Sequence, residues 1–187
     1  MQRVIAKNIY TNLDFVDAEF LSISYWSITP ISEGRYEVYS SCESPIDKDP
    51  AQSRRDSIYL EMATVWSKNS YCKRMQVGCL IVKDRSIISD GYNGTPKGFP
   101  NVCESDQDTT LSSVLHAEAN AITKLAKGTQ SSVDSTLYVT LSPCYECSKL
   151  IIQSDIKRVV FSEVYRKPES IAFLAEAGIE IVKSNIK

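Results

Sequence analysis

The chain has 187 residues, of which 43% are hydrophobic and 24% are charged, ordinary values for a soluble protein of one domain or one domain with a small appendage. Its formal net charge of −2 argues against a protein that coats nucleic acid, because such proteins need a basic face. The same net charge is compatible with a small anionic substrate, for which a few local cations are enough. The first twenty residues have no long apolar run, and no stretch is long enough to span a bilayer. We therefore expect a cytoplasmic protein without membrane contact, in which paired cysteines indicate metal binding or chemistry before disulfides.

Residues 1–50 differ from the rest of the chain and predict a small N-terminal extension. Apolar residues alternate with serine over residues 21–25, which is the period of a strand. Ser32-Glu33-Gly34 can turn the chain, and residues 36–40 can return as a second strand. We expect a β-hairpin that extends a sheet or contacts another subunit. A linker with two prolines follows at residues 43–53.

A second domain is predicted over residues 51–187, where helices and strands alternate. Its first element is an amphipathic helix at about 54–68, whose apolar residues fall at helical spacing: Ile58, Met62, Val65 and Trp66. The elements that follow are strands at 77–82 and 86–92, a helix at 116–127, a strand at 137–141, a helix at 143–154, a strand at 157–161, a helix at 168–177 and a strand at 179–182. This order predicts an α/β fold with a five-stranded mixed sheet, in which the last three strands are parallel with right-handed crossovers.

Two short motifs in this domain carry side chains that suit zinc. The single histidine begins His116-Ala117-Glu118, and Pro143-Cys144-Tyr145-Glu146-Cys147 follows later. This combination is the signature of zinc deaminases that act on bases. Cys144 and Cys147 are three residues apart at the start of a predicted helix, where both can face one way and the helix dipole favours thiolates. We expect Pro143 at the first helical position and Ser142 as the cap.

Three ligands would leave the fourth position of a tetrahedral zinc site open for water, as in catalytic sites. Zinc can lower the pKa of such a water to about 7, which makes hydroxide available at neutral pH. Glu118 lies two residues from the histidine and can move protons between the water and a substrate. The motifs therefore predict a hydrolytic deaminase.

Other interpretations of the same residues remain open. A lone pair of cysteines in this spacing can be a redox pair or half of a structural zinc site. A structural zinc module requires a fourth protein ligand, which Cys79 or Cys103 would have to supply. A nucleotide sensor without catalysis would have no evident need for Glu118.

The segments HAEANAI, TLYVTLSPCYECSKLI and VGCLIV…GYNGTPKG resemble deoxycytidylate (dCMP) deaminases of the cytidine deaminase-like superfamily, from about Ser53 to Lys183. The zinc motifs mark the superfamily, and GYNGTPKG favours the deoxycytidylate branch. The resemblance implies a three-layer α-β-α fold. It implies hydrolysis of dCMP to dUMP and ammonia, which feeds thymidylate synthesis. It also implies one zinc ion held by His116, Cys144 and Cys147, with Glu118 shuttling protons.

The resemblance further implies where the substrate binds. Asn93 would contact the sugar, and the backbone around Ala117 and Ser142 would border the base. Four more residues match the nucleotide end or precede a core strand where a phosphate could bind: Lys73, Arg74, Tyr165 and Arg166. Arginine suits the paired oxygens of a phosphate.

Members of this family are often oligomeric, commonly hexameric, and many respond to dCTP and dTTP with Mg²⁺. We expect a homo-oligomer and place a possible effector loop at Asn93, Gly94, Thr95, Pro96 and Gly98. Many members bind a second, structural zinc. Cys72 and Cys103 match part of that pattern, but the chain has no second histidine.

Alternative substrates are a 5-substituted dCMP, free cytidine and a tRNA adenosine. The slightly acidic chain argues against tRNA or any other nucleic acid partner. The GYNGTP segment and the nearby cations favour a nucleotide over free cytidine.

Overall fold

The computed structural model describes residues 6–14, 16, 20–21, 23, 25–32, 34–41, 49–165 and 169–184. In chain order the elements of these residues are β1 (Ala6–Tyr10), β2 (Tyr25–Ser32), β3 (Arg35–Ser41), α1 (Pro50–Ser67), β4 (Gly78–Lys83), β5 (Ser86–Tyr92), α2 (Ala117–Leu125), β6 (Thr136–Leu141), α3 (Tyr145–Gln153), β7 (Arg158–Glu163), α4 (Glu169–Glu176) and β8 (Glu180–Lys183). No described helix combines the length and the apolar content needed to cross a bilayer.

All eight strands form one mixed sheet in the order β1-β3-β2-β8-β7-β6-β4-β5. As predicted, β6, β7 and β8 are parallel, and the other pairs are antiparallel. The prediction of a five-stranded sheet was wrong, because β2 pairs antiparallel with β8 and brings β1 and β3 with it. This pairing covers the backbone edge that β8 would otherwise expose. Trp26 of β2 is fully buried and packs edge-on against Phe161 of β7, so the N-terminal strands share the main core.

The predicted hairpin is present as β2 and β3, but its first strand begins at Tyr25 rather than near residue 21. Much of the predicted linker, residues 43–48, lies outside the described residues. Its end is helical because Asp49 caps α1 by accepting a hydrogen bond from the backbone of Ala51, and Pro50 suits the first turn.

The two faces of the sheet are covered unequally. Alternate residues of β4, β6 and β7 point to opposite faces. Leu80, Tyr138 and Val160 pack with α1 on one face. The residues between them pack with α2, α3 and α4 on the other face, in the larger core cluster. The layers are therefore one helix, the sheet and three helices.

The orientation of α1 is opposite to the predicted one. The stripe of Ile58, Met62, Val65 and Trp66 faces solvent, and Val65 is 62% exposed. The buried residues of α1 are Asp56, Leu60, Ala63 and Ser67. Small side chains of α1 face β4, because the helix backbone at Ala63 and Ser67 lies directly against Gly78. A Cβ on Gly78 would overlap that backbone.

Asp56 can be buried because its charge is paired. Its carboxylate accepts two hydrogen bonds from Arg158, at 2.7 and 2.9 Å, and one from the Tyr138 hydroxyl at 2.8 Å. Arg158 also contacts Glu180 at 3.2 Å. A buried carboxylate is tolerated only with such partners. Hydrophobic spacing gave no sign of this polar contact, which lies on the buried face of α1 together with Leu60 and Ala63.

Candidate active site

The three predicted zinc ligands lie at the start of two helices, α2 and α3, which pack on the same face of the sheet. His116 is the N-cap residue of α2, Cys144 is the N-cap residue of α3, and Cys147 is the third residue of α3. The helix therefore starts two residues later than expected, with Cys144 rather than Ser142 as the cap and Tyr145 rather than Pro143 as the first helical residue. The Ser142 hydroxyl is not the cap, because it accepts a hydrogen bond from the backbone N–H of Tyr165 at 2.7 Å.

The ligand atoms of these three residues converge. The Nδ1 atom of His116 lies 3.3 Å from the sulfur of Cys144 and 3.4 Å from that of Cys147, and all three atoms lie within 4.8 Å of one another. Ligands at 2.0–2.3 Å from a tetrahedral zinc ion lie about 3.5 Å apart. The donor set and its spacing therefore fit zinc.

The charges of the two cysteines also favour a cation. A hydrogen bond from the Cys147 thiol lowers the pKa of Cys144 to about 4, against the opposing effect of burial. The pKa of Cys147 is raised by that same hydrogen bond and by burial. The pKa of His116 is raised, chiefly by its hydrogen bond to Cys144. The pair carries one negative charge readily, and a second thiolate needs a compensating positive ion.

Glu118 lies beside this cluster on the first turn of α2. Its side chain is buried, and burial raises its pKa to about 7. Its carboxylate is hydrogen-bonded to its own backbone N–H and to the Cys147 thiol, which partly offsets that shift. A carboxyl group with a pKa near neutrality can both accept and return a proton.

A tight contact with β5 fixes the start of α2. A Cβ on Gly91 would overlap the carbonyl oxygen of Ala117 and the backbone N–H of Ala121. Ser89 donates a hydrogen bond of 2.6 Å to the carbonyl of Ala121. The sheet thus holds in place the helix turn that carries His116 and Glu118.

The remaining cysteines do not join the cluster within the described part of the chain. Cys72 and Cys103 form a disulfide, and Cys79 of β4 is buried in the larger core cluster. The expectation that paired cysteines would indicate metal or chemistry rather than a disulfide was therefore wrong for Cys72 and Cys103. Their sulfurs become neighbours only through the fold, since 31 residues separate them. Neither Cys79 nor Cys103 completes a four-ligand structural site.

A cavity of about 570 Å³ opens onto the cluster. Five of the predicted substrate residues line this cavity: Arg74, Asn93, Ala117, Ser142 and Tyr165. Lys73 is exposed and lies outside its lining. Arg166 lies outside the described residues. The volume suits a nucleotide-sized ligand.

Asn93 in the cavity wall also has a structural role. Its side-chain oxygen accepts from the backbone N–H of Val77, and its amide donates to the carbonyl of Met75, both at 2.8 Å. An asparagine amide has two donor hydrogens and two acceptor lone pairs. One of each therefore remains for a ligand.

The cavity is also lined by residues that the sequence did not indicate. Six of them lie on the loop between β5 and α2: Glu104, Thr109, Thr110, Leu111, Ser112 and Val114. This loop has neither helical nor strand periodicity. The only available signal was its place directly before His116 in the chain.

The possible effector loop lines two cavities. Asn93 belongs to the site cavity, and the other four residues border a second cavity of about 660 Å³. Lys97, Lys124 and Lys127 also line this second cavity.

Comparison with known proteins supports the geometry. The model of the cytidine and deoxycytidylate deaminase zinc-binding region matches residues 53–163. The deoxycytidylate deaminase of Saccharomyces cerevisiae is 35% identical over 136 residues, and the match covers 67% of this chain and 43% of the yeast protein. This chain therefore spans less than half of that relative. The deoxycytidylate deaminase of Mycobacterium phage D29 is 38% identical over 120 residues, covering 57% of this chain and 92% of the phage protein.

A solved structure agrees with these matches. The dCMP deaminase from cyanophage S-TIM5, in complex with dCMP and dUMP, has a TM-score of 0.67 and 42% identity, covering 71% of this chain and 96% of that protein. The comparisons confirm the predicted resemblance to cytidine and deoxycytidylate deaminases and the cytidine deaminase-like fold. The family match and the convergent ligands also support Zn²⁺.

Proposed function

The chain belongs to the family of cytidine and deoxycytidylate deaminases, and from this premise we propose that it hydrolyses dCMP to dUMP and ammonia. The observation that carries the proposal is the combination at one end of the cavity. Three zinc-type ligands converge there beside a buried carboxyl group, and the cavity leads from them to an arginine. A purely structural zinc site has no need of either feature.

The zinc ligands are His116, Cys144 and Cys147, and zinc bound there would supply hydroxide at neutral pH. Glu118 accepts the proton of the attacking water and passes it to the ring nitrogen next to the amino-bearing carbon. It then takes the remaining proton of the former water from the new hydroxyl group on that carbon and delivers it to the amino group, which leaves as ammonia while the ring carbonyl forms. Burial keeps Glu118 out of bulk water, so that its proton goes to the substrate.

The rest of the cavity binds the nucleotide in this proposal. The backbone at Ala117 and Ser142 borders the base, and the free donor and acceptor of Asn93 meet the sugar. Arg74 and Tyr165 lie toward the phosphate end, and Arg166 is assigned there from the sequence alone. The Arg74 guanidinium has donors in a fork that matches two phosphate oxygens.

A substrate panel tests the activity. Zinc-loaded protein is incubated separately with dCMP, 5-substituted dCMP, CMP, deoxycytidine, cytidine, dCTP and an adenosine-bearing tRNA loop, and ammonia and the deaminated product are measured. We expect the highest kcat/KM for dCMP. An inert dCMP beside a reactive alternative would overturn the substrate assignment. Full zinc content with no turnover of any compound would favour a sensor.

From the family we also propose regulation by nucleotide triphosphates and assembly into an oligomer, and two further measurements test them. The second cavity, with its three lysines, would bind dCTP or dTTP with Mg²⁺, and the chain would assemble as a hexamer. Adding each triphosphate with and without Mg²⁺ should change the dependence of rate on dCMP, and light scattering gives the mass in solution. Residues 1–50 would serve as an extension of a deaminase domain at 51–187.

A further inference from the structure

We propose that Glu104 is a positioning residue for the nucleotide substrate, and that it acts through Arg74. This inference rests on the proposed deamination of dCMP, because it assigns a role at the phosphate end of the same cavity. Glu104 belongs to the loop between β5 and α2, and no motif in the sequence identifies it.

Glu104 anchors the backbone on which Arg74 stands. One oxygen of its carboxylate, Oε1, accepts hydrogen bonds from the backbone N–H groups of Lys73, at 3.0 Å, and Arg74, at 3.2 Å. Hydrogen bonds to a charged acceptor are among the stronger ones in proteins. They join two loops that are 30 residues apart in the chain.

The same loop also holds the side chain of Arg74. Its Nη1 donates to the Thr110 hydroxyl at 3.3 Å, and Thr110 pairs with Glu104 in an antiparallel bridge. Between them the turn is closed by a hydrogen bond of 2.9 Å from the backbone N–H of Ser105 to the carbonyl of Thr109. Glu104 and Thr110 therefore hold the two ends of Arg74, its backbone and its guanidinium.

Neighbouring contacts fix Glu104 itself. Cys103, directly before it, is bonded to Cys72, directly before Lys73. The backbone N–H of Leu111 donates to the carbonyl of Cys103 at 2.8 Å. The two loops are thus joined by one covalent bond and by the hydrogen bonds of Glu104.

The charge of Glu104 would by itself disfavour a phosphate. Here the two backbone N–H groups point at the carboxylate and offset part of that charge, while Arg74 keeps donors that Thr110 does not use. In this proposal residue 104 must supply an oxygen acceptor for the two backbone N–H groups, and it need not carry a negative charge. A glutamine keeps an oxygen acceptor of the same length, and an alanine does not.

The test compares Glu104→Ala with Glu104→Gln, using Glu61→Ala, an exposed carboxylate on α1, as the matched control. KM and kcat are measured for dCMP and deoxycytidine. Dissociation constants for both compounds are measured in a Glu118→Gln background. We expect Glu104→Ala to raise KM and Kd for dCMP about tenfold, the cost of losing the two hydrogen bonds from the backbone of Lys73 and Arg74. We expect kcat, and both constants for deoxycytidine, to stay within about twofold. Glu104→Gln and Glu61→Ala should stay within about twofold for both compounds.

Combining Glu104→Ala with Arg74→Ala gives a second measurement. If Glu104 acts through Arg74, the double variant should bind dCMP no more weakly than Arg74→Ala alone. Additive losses, equal losses for dCMP and deoxycytidine, or a Glu104→Gln variant as weak as Glu104→Ala would each overturn the inference. If the Glu104 variants change dCMP binding as expected but the wild-type protein does not deaminate dCMP, only the proposed function is contradicted. Wild-type protein that neither binds nor deaminates dCMP would overturn both.

Discussion

Two groups of residues at the site cavity are held differently, and we call them the metal end and the loop end. At the metal end, Cys147 and Glu118 are buried in the first turns of α3 and α2, and both helices pack against the sheet. At the other end, Arg74, Thr109 and Thr110 are exposed on loops, and hydrogen bonds and a disulfide hold those loops together. The first end is positioned by packing and the second by discrete polar contacts.

This difference separates chemistry from recognition. Groups that move protons need fixed geometry, which packed elements supply. Groups that recognise the outer part of a substrate act mainly through binding, so their loss raises KM without lowering kcat. Variants at the metal end should therefore change kcat or folding, and variants at the loop end should change KM and the choice of substrate.

The largest expected effect is at the metal end. Glu118→Gln removes the proton carrier and keeps the shape, so kcat for dCMP should fall by about 10³ or more. Zinc content, measured by atomic emission, should remain at one ion per chain because Glu118 is not a ligand. Loss of zinc along with activity would contradict the division between ligands and proton carrier.

Next is Gly91→Ala, which tests how α2 is held. The added Cβ would overlap the backbone of Ala117 and Ala121, so we expect a loss of about 1–3 kcal/mol in the free energy of unfolding. Urea denaturation followed by circular dichroism measures it. Gly94→Ala is the matched control, because a Cβ there meets nothing within 4 Å. A variant at Gly91 as stable as this control would show that close packing does not position α2.

At the loop end, Arg74→Ala should raise KM for dCMP about thirtyfold, a typical loss for a charge-assisted contact, with kcat within about twofold. Deoxycytidine, which has no phosphate, should be unaffected. Arg54→Ala, an exposed arginine on α1, serves as the control. A fall in kcat instead of a rise in KM would erase the contrast between the two ends.

The last prediction is a pH dependence, whose size is set by how far the pH lies below the pKa of Glu118. Glu118 must be ionised to accept a proton from water, and burial raises its pKa to about 7. Activity should therefore decrease as the pH falls, by about tenfold per pH unit below the pKa. The charge of bound zinc lowers this pKa, so the decrease should begin at or below pH 7. The measured quantity is kcat from pH 5 to 8, because the substrate phosphate itself titrates near pH 6 and alters KM. A constant kcat down to pH 5 would contradict this role.

Much of the fold followed from local pattern. The five strands and four helices of residues 51–187 appear close to their predicted positions, because alternating and helical spacing is read along a single element. The predicted face of α1 was wrong because the contacts that this helix buries are made to distant parts of the chain: Asp56 pairs with Arg158, 102 positions further on, and Ala63 packs against Gly78. The hairpin extends the sheet, one of the two roles expected for it, but its pairing with β8 was not predicted, since a sheet edge belongs to two distant segments.

The sequence by itself determined the zinc ligands and the proton carrier as candidates, because each motif is local: three residues in one and five in the other, each at the start of a helix. Only the tertiary structure decided that Cys72 meets Cys103, that Arg74 reaches the cavity while Lys73 does not, and that Glu104 lies beneath both. Contacts between loops depend on which distant segments of the chain lie close together in the fold. Neither periodicity nor residue type predicts that proximity.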